Sequence, residues 1–411
     1  MGSEVWLEAP LKSRLLRIEG GRSPDLPDTP AAAGGWGVLK VSAVHRSGFR
    51  PGENKEVSDV ALVDERYEVQ AGDLLISRSN TPELVGSACI ATSSSSRLLL
   101  SDKTLRLVVD QELADARFVN FSLSGPALRS QIENAASGSS RSMQNISQLS
   151  IERLMLPWPP IAEQRRIVGV LDAVSVEEDS IGASIAKIHA VRQGILLSSM
   201  PLDAQAVPLE GWVRFPLKVV VPSTDYGISE ALVSDPQGMP VLRMNNIRDG
   251  RVDADELRYC PTSVPDRLVL RHGDVLFNRT NSIEHVGKAA MWKDDLPKAT
   301  FASYLVRLNP DLRQITPEYL VEWLQHPLIR QRVKAISTVA VQQVNVNPTR
   351  LRDLEIDLPI SLDEQRRIVS SLAACDDRIR CEEEELAKLR QLKTGLADDL
   401  LAGRPVGAGR S

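Results

Sequence analysis

The chain repeats itself at a shift of 201 residues, and this duplication limits the folds open to it. The segment 71–81 (AGDLLISRSNT) aligns with the segment 272–282 (HGDVLFNRTNS), so that Gly72 lies over Gly273. The hexapeptide Glu-Gln-Arg-Arg-Ile-Val occurs at 163–168 and again at 364–369. A period this long exceeds that of solenoid repeats and indicates a duplicated domain. A chain of 411 residues has room for two domains of roughly 150 residues with connecting structure.

Each half has the same order of parts. Apolar, β-branched runs such as 38–44 and 241–244, punctuated by Gly, Pro, Asn and Asp, predict strands. Prolines then stand where a helix can begin, and a long helix follows. We therefore predict an α/β (α+β) protein with two strand-rich domains and two long helices. The predicted segments are a first domain at 1–155, a first helix at 156–205, a second domain at 206–357 and a second helix at 358–411.

The predicted helices carry an apolar stripe that recurs at alternating spacings of four and three, which is the pattern of a coiled coil. Glu178 and Arg192 interrupt the stripe of the first helix, and Glu382 and Lys393 that of the second. The stripe positions are Ile167, Leu171, Val174, Ile181, Ile185, Ile188 and Ile195 in the first helix, and Ile368, Leu372, Cys375, Ile379, Leu386, Leu389, Leu396 and Leu400 in the second.

Two arrangements follow from equal stripes on two helices. An antiparallel pair would relate the two domains by a pseudo-two-fold axis at opposite ends, and a parallel pair would place them side by side. The alternative is that each stripe packs on its own domain, although a globular face is usually wider than two positions per heptad. We predict the antiparallel coiled coil.

Composition narrows the class of protein further. Hydrophobic residues make up 42% and charged residues 25%, which are globular values. No stretch approaches 18 uncharged apolar residues and no export signal is evident, so we expect a cytoplasmic protein without a membrane segment. The four cysteines form no CxxC pair and predict neither a disulfide framework nor a zinc site. A net charge of −5 argues against a non-specific DNA coat but allows local basic patches.

The sequence contains no complete catalytic motif of the kinds considered below. This predicts a chain without a catalytic group, metal or cofactor of its own. A methyltransferase clamp needs a polar residue and an aromatic around Pro-Pro, and the segment 158–161 (WPPI) lacks them. The Gly287-Lys288 pair lacks the rest of a phosphate-binding loop. Asp25, Glu53 and Lys55 could form a nuclease centre with Mg²⁺, but the pattern is short and frequent by chance, and a surface turn explains it better.

The same segments carry a family resemblance. The blocks 156–168 (LPWPPIAEQRRIV) and 357–369 (DLPISLDEQRRIV) resemble the junctions between recognition domains and helices in specificity subunits of type I restriction-modification systems. The segments 240–247 (PVLRMNNI), 273–279, 286–288, 389–396 and 401–403 also resemble that family. The first half departs from the pattern, because it has WGVLKVS at 36–42 and Ser87 where the second half has Lys288.

The resemblance implies a function and a set of partners. Each recognition domain would read one half of a split, asymmetric site in double-stranded DNA, and the paired helices would set the unread spacer. Two adenine methyltransferase subunits would bind this subunit, and two ATP-driven translocase-nuclease subunits would join them. S-adenosylmethionine, ATP and Mg²⁺ would belong to those partners.

Candidate DNA contacts were chosen by side-chain chemistry, since Arg and Lys pair with guanine or phosphate, and Asn and Gln with adenine. The candidates within 77–81 and 278–282 are expected to lie in loops that directly follow an apolar strand. The alternative for the Ser and Asn positions is a turn that bonds its own backbone. The segments 139–145 and 341–345 could instead cap or dock a long helix, and a single Lys or Arg is often only a surface charge. The candidates are Lys40, Arg78, Ser79, Asn80, Thr81, Arg141, Gln144, Arg243, Asn245, Asn246, Arg279, Thr280, Asn281, Lys288 and Gln343.

Two other functions fit the same features. One is a stand-alone or defence-system recognition protein without a nuclease partner, which neighbouring genes would distinguish. The other is a purely structural coiled-coil adaptor, which a gel-shift experiment with random duplex DNA and the methyltransferase partner would distinguish.

Overall fold

A computed structural model of the chain describes residues 6–140, 143–202, 208–248, 250–340 and 343–404. The chain divides into two units. The first unit comprises Met1–Gly182 and Glu384–Ser411, and the second comprises Ala183–Glu383. Each unit therefore contains one strand-rich half of the sequence together with a part of both long helices. The division predicted from the sequence, into segments 1–155, 156–205, 206–357 and 358–411, stays a prediction.

The first half of the chain forms fourteen strands and four α-helices within the described residues. The strands are β1 (Leu7–Pro10), β2 (Leu15–Gly20), β3 (Trp36–Leu39), β4 (Val44–His45), β5 (Gly48–Phe49), β6 (Asn54–Glu56), β7 (Leu74–Ser77), β8 (Ser79–Asn80), β9 (Ala88–Ile90), β10 (Arg97–Leu99), β11 (Thr104–Val109), β12 (Ser137–Ser140), β13 (Met143–Asn145) and β14 (Met155–Trp158). The helices are α1 (Ala116–Ser124), α2 (Pro126–Ala135), α3 (Gln148–Glu152) and α4 (Ile161–Ser199).

The second half repeats this order. Its strands are β15 (Trp212–Pro216), β16 (Ser223–Tyr226), β17 (Met239–Leu242), β18 (Ile247–Arg248), β19 (Arg251–Val252), β20 (Arg258–Cys260), β21 (Val275–Asn278), β22 (Thr280–Asn281), β23 (Ala289–Met291), β24 (Thr300–Phe301), β25 (Leu305–Asn309), β26 (Thr338–Ala340), β27 (Gln343–Asn345) and β28 (Glu355–Pro359). Its helices are α5 (Pro317–Gln325), α6 (Pro327–Ala335), α7 (Pro348–Arg352) and α8 (Leu362–Leu401).

The strands pair in the same way in both units. A four-stranded antiparallel sheet has the order β2-β11-β7-β9 in the first unit and β16-β25-β21-β23 in the second. A second sheet centres on β3 or β17, each of which pairs parallel with one neighbour and antiparallel with the other. The hairpin β12–β13 adds β8, and β26–β27 adds β22. The duplication read from the sequence is thus a duplication of topology.

One interior strand of each four-stranded sheet, β7 or β21, is buried on both faces. Alternate residues of a strand point to opposite sides of the sheet. Leu74 and Ile76 of β7 accordingly join the core that contains α1, while Leu75 joins a separate core. In the second unit Val275 and Phe277 join the core that contains α5, and Leu276 joins the other. This packing explains why the segments read as continuous apolar runs.

Within each unit, the two long helices run antiparallel. In the first unit the end of α8 reaches the start of α4, because Leu400 shares a core with Ile167 and Glu178 lies 2.5 Å from Lys393. In the second unit the end of α4 reaches the start of α8, because Leu196 shares a core with Ile368 and Leu372, and Arg192 Nε lies 2.6 Å from an Asp376 oxygen. The predicted antiparallel pairing of two long helices is confirmed.

The residues of the predicted stripe are buried or partly buried. The alternative prediction, in which each stripe packs on its own domain, is also partly confirmed. The starts of α4 and α8 pack on the strand-rich domain that precedes them, and residues near the end of the other long helix join the same core. The polar interruptions Glu178, Lys393 and Arg192 form ion pairs. The buried stripe residues are Ile167, Leu171, Ile181, Ile368, Leu372, Ile379, Leu386 and Leu400, and the partly buried ones are Val174, Ile185, Ile188, Ile195, Cys375, Leu389 and Leu396.

No helix in the described ranges combines the length and the hydropathy needed to cross a bilayer.

Candidate nucleic-acid interface

The Gly-Asp pair before β7 and before β21 organises the strand that leads to the candidate contacts. Gly72 and Gly273 have φ of 95° and 86°, a conformation that favours glycine. The carboxylate of Asp274 accepts a hydrogen bond from the Arg271 backbone N–H and another from Arg307, both at 2.9 Å. Asp73 makes the equivalent bonds in the first unit. The motif is therefore structural.

A largely buried arginine on an interior strand of each four-stranded sheet links the neighbouring edge strand to the Gly-Asp turn. In the second unit Arg307 on β25 contacts Asp225 on β16 at 2.8 Å and Asp274 at 2.9 Å. Burial raises the pKa of the Asp225 carboxyl, but hydrogen bonds from Arg307 and Asn309 outweigh it and hold that pKa below its ordinary value. Arg106 makes the corresponding network in the first unit. Sequence analysis missed these arginines, although they occupy equivalent positions of the repeat.

The residues after β7 and β21 were expected to form loops, and this expectation is wrong. Residues 79–80 and 280–281 form the short strands β8 and β22, which pair with β13 and β27. The Thr280 hydroxyl donates to Asn345 Oδ1 at 2.6 Å, and Ser79 and Asn145 make the same contact. Both hydroxyl side chains are buried. Ser79 and Thr280 thus hold the hairpin instead of presenting their hydroxyls at the surface.

Asn80 and Asn281 lie one position further and are partly buried. Asn80 Oδ1 accepts the N–H of Thr81 at 2.9 Å, and Asn281 Oδ1 accepts the N–H of Ser282 at 2.8 Å. The alternative prediction, a turn in which the side chain bonds its own backbone, is therefore correct for these two side-chain oxygens. Their Nδ2 donors have no hydrogen-bond partner among the described residues.

A buried arginine also fixes the loop that begins at Thr81, which is itself exposed. Arg129 on α2 donates to the Val85 carbonyl at 2.7 Å. Gly86 has φ of 67°, and a Cβ there would lie 2.6 Å from an Ile132 methyl group. The second unit repeats this arrangement with Arg330, which donates to the Glu284 carbonyl. Alignment of the two halves could have found Arg129 and Arg330, because they too occupy equivalent positions of the repeat.

The two arginines at the strand ends differ between the units. Arg78 is exposed, and its side chain has no hydrogen-bond or ionic partner within the described ranges. Arg279 is partly buried, and its guanidinium lies over the Tyr226 ring at 5.2 Å. Its Nη1 donates to the Ser303 carbonyl at 3.3 Å.

The turn that follows β17 lies between two clefts in the second unit. Asn245 is exposed and, together with Arg243, lines clefts of about 610 Å³ and about 500 Å³. Arg243 Nη2 donates to the Glu256 carbonyl at 2.8 Å. Asn246 is buried, where Oδ1 accepts the Arg243 N–H and Nδ2 donates to the Asp253 carbonyl. The side chain of Asn246 therefore stabilises the turn, and its polar groups are occupied.

The strand end and this turn come together in the second unit, because Asn278 Nδ2 donates to the Met244 carbonyl at 3.3 Å. Lys288 follows the next loop and is partly buried. In the first unit Lys40 takes the place of Arg243 and pairs with Asp28 at 2.7 Å. The hydrogen bond with Asp28 raises the pKa of Lys40, which keeps its positive charge.

The hairpin candidates lie beside the strand ends. Gln144 on β13 is paired in register with Asn80 and is partly buried. Gln343 on β27 is exposed. Arg141 lies outside the described residues.

The predicted nuclease alternative has no support from the geometry. Asn54 is buried and bonds the Ala31 N–H and the Pro51 carbonyl, and Glu53 accepts from Ser42. Among the described residues, no group of three His, Cys, Asp or Glu side chains could hold a metal ion.

Comparison with known proteins shows which proteins the chain is similar to. Residues 210–391 match the type I restriction modification DNA specificity domain. The chain is 30% identical over 196 residues to a putative type I restriction enzyme MjaX specificity subunit from Methanocaldococcus jannaschii, which covers 46% of this chain and 45% of that protein. It is 25% identical to the EcoBI specificity subunit from Escherichia coli, over 66% of this chain and 61% of that protein. The chain thus aligns with about half of the length of these relatives.

Solved structures share the fold. The S subunit of a type I restriction-modification system from M. genitalium has a TM-score of 0.61 at 14% identity, over 98% of both chains. A chain from a study of assembly and conformational transition of the type I system has a TM-score of 0.60 at 17% identity, again over 98% of both chains. Residues 210–391 thus match the specificity domain of type I restriction-modification systems, and the chain as a whole is similar in sequence and fold to specificity subunits of these systems.

Proposed function

We propose that each unit of this chain binds one half of a bipartite, asymmetric site in double-stranded DNA. The observation that carries this proposal is that the residues directly after β7 and directly after β21 have the same chemistry and the same place in the two units. Arg78 and Asn80 in the first unit, and Arg279 and Asn281 in the second, stand at equivalent positions of one topology. Guanidinium and amide groups are the ones that read base edges in the major groove. Two domains with the same placement but different surroundings would read two different half-sites.

Local charge makes such binding compatible with a net charge of −5. A run of arginines lies in the second unit, and two of them, Arg243 and Arg258, line a cleft. Arginine neutralises phosphate effectively. The run comprises Arg243, Arg248, Arg251, Arg258, Arg267 and Arg271.

The paired helices would set the unread spacer between the half-sites and provide the docking surface for two adenine methyltransferase subunits. Two ATP-dependent translocase-nuclease subunits would complete a restriction complex. The similarity to two specificity subunits of type I restriction enzymes supports this assignment. S-adenosylmethionine, ATP and Mg²⁺ would bind those partners, and this chain would contribute recognition without catalysis.

Selection from a pool of randomised duplex DNA tests the proposal. The full chain is immobilised with its methyltransferase partner, and bound duplexes are sequenced. We expect two short motifs separated by a constant gap. A variant with Arg313→Ala, at an exposed position between β25 and α5, should select the same motifs. Selection of no motif, or of one continuous motif, would overturn the proposal, and the first of these results would favour a structural adaptor.

A further inference from the structure

The second unit supports its strand-end arginine on an aromatic ring, and the first unit does not. The guanidinium carbon of Arg279 lies 5.2 Å from the centroid of the Tyr226 ring. One of its nitrogens, Nη1, also donates to the Ser303 carbonyl. Its Nε is buried without a hydrogen-bond partner among the described residues. The Tyr226 side chain itself remains half exposed at 51%.

Strand register identifies the position of Tyr226 in the other unit. Tyr226 on β16 pairs with Val306 on β25. In the first unit Leu105, which is the repeat equivalent of Val306, pairs with Gly20 on β2. The position that carries an aromatic ring in the second unit therefore carries no side chain in the first. Arg78 is correspondingly exposed and has no side-chain partner within the described ranges.

A ring under a guanidinium has a defined chemical consequence. Stacking occupies the face of the planar group and leaves the donors in its plane free. A guanine presents two acceptors, O6 and N7, that an arginine can bond simultaneously with two donors in one plane. Because the Ser303 carbonyl uses only one donor of Nη1, Nη2 and the second Nη1 hydrogen have no partner in the described part of the chain. These two donors suit such a bidentate contact.

We propose that Tyr226 is a positioning residue for DNA specificity, which holds the Arg279 guanidinium in the plane required to read a guanine in one half-site. This inference rests on the proposed function. An arginine held in one orientation discriminates between bases, because a misaligned base loses both hydrogen bonds. An arginine without such support, such as Arg78, can turn toward a base or toward a phosphate, so it discriminates less sharply between bases.

The test uses the full chain and the randomised duplex pool described above. The variants are Tyr226→Phe, which keeps the ring, Tyr226→Leu, which removes it, Arg279→Ala, and the double variant Tyr226→Leu/Arg279→Ala. We expect Tyr226→Leu to reduce the preference for guanine at one position of one half-site by about tenfold, the size of a lost bidentate contact. Tyr226→Phe should retain the preference. The double variant should match Arg279→Ala alone, because Tyr226 acts through Arg279.

An independent variant keeps the test valid if the tyrosine replacement disturbs folding. Arg279→Lys preserves the charge but removes the planar group, so it should keep most of the affinity and lose the guanine preference. The inference is wrong if Arg279→Lys or Tyr226→Leu leaves the preference unchanged. It is also wrong if Tyr226→Leu lowers the preference further in the Arg279→Ala background, since Tyr226 would then contact DNA itself. Failure of the wild-type chain to select any motif would overturn the proposed function, and this inference with it.

Discussion

Gln365 Oε1 accepts a hydrogen bond from the backbone N–H of Thr316 at 3.0 Å, and this contact ties the start of α8 to the start of α5. Gln365 Nε2 also donates to the carbonyls of Gln314 and Pro359. Gln164, its equivalent in the first half, makes the same three bonds, with Asp115, Leu113 and Pro159. The glutamine of the repeated Glu-Gln-Arg-Arg motif therefore joins each long helix to the domain that precedes it.

The first prediction concerns this joint. Gln365→Leu should lower the free energy of unfolding by about 3 kcal/mol, because it leaves one buried N–H and two carbonyls without partners. Urea unfolding followed by tryptophan fluorescence measures the change. Gln391→Leu, at an exposed position of the same helix, should change stability by less than about 0.5 kcal/mol. Equal losses in the two variants would contradict the assignment.

The second prediction concerns acid stability. The hydrogen bonds from Arg307 and Asn309 hold the folded-state pKa of Asp225 below its ordinary value of 3.8. This carboxylate therefore contributes stability that is present above that ordinary value and is lost as the pH falls through the lower folded-state pKa. Melting temperatures between pH 6 and pH 3 should fall less steeply in Asp225→Asn than in the wild type. Parallel curves would show that Asp225 does not contribute to acid unfolding.

The third prediction concerns the coiled coil. Lys393→Leu should destabilise the first unit by about 1 to 3 kcal/mol, since the mostly buried Glu178 then loses its 2.5 Å partner and retains the longer contact with Arg390 at 4.0 Å. The double variant Glu178→Leu/Lys393→Leu should recover this loss or exceed wild-type stability. The exposed pair Arg366 and Asp363 serves as the control, and its removal should cost less than about 1 kcal/mol. Thermal unfolding of all variants would show whether the double variant recovers.

The fourth prediction concerns the independence of the two units. Arg279→Ala should weaken base discrimination in one half-site by about 1 to 3 kcal/mol and leave the other half-site unchanged. Quantitative sequencing of selected duplexes measures both together. Equal loss in both half-sites, or loss of total affinity alone, would identify Arg279 as a phosphate ligand or a residue needed for folding.

The fifth prediction concerns the spacer. Insertion of four residues after Ile185 and four after Leu386 lengthens each long helix by about 6 Å. Duplex DNA rises about 3.4 Å per base pair, so the gap should grow by one or two unread pairs. Both half-site motifs should stay the same. A methylome of cells that carry the inserted chain and its methyltransferase partner gives the gap directly, and an unchanged gap with retained methylation would exclude the helices as the ruler.

The sequence by itself determined the duplication, the order of parts and the paired helices. These features depend on local spacing: a constant shift between the two halves and an apolar stripe at positions such as Ile167 and Leu171 are readable without a fold. The polar interruptions at Glu178 and Lys393 were visible too, although not as partners of each other.

Only the tertiary structure decided which polar side chains are available for binding. Ser79, Thr280 and Asn246 belong to the same chemical class as the exposed Asn245, but a hydroxyl or amide that meets a backbone group or Asn345 inside the fold is already satisfied. Tyr226 carries no recognition motif of its own. Its position beneath Arg279 arises from the pairing of β16 with β25, a contact between segments far apart in the chain, and local sequence spacing does not encode such contacts.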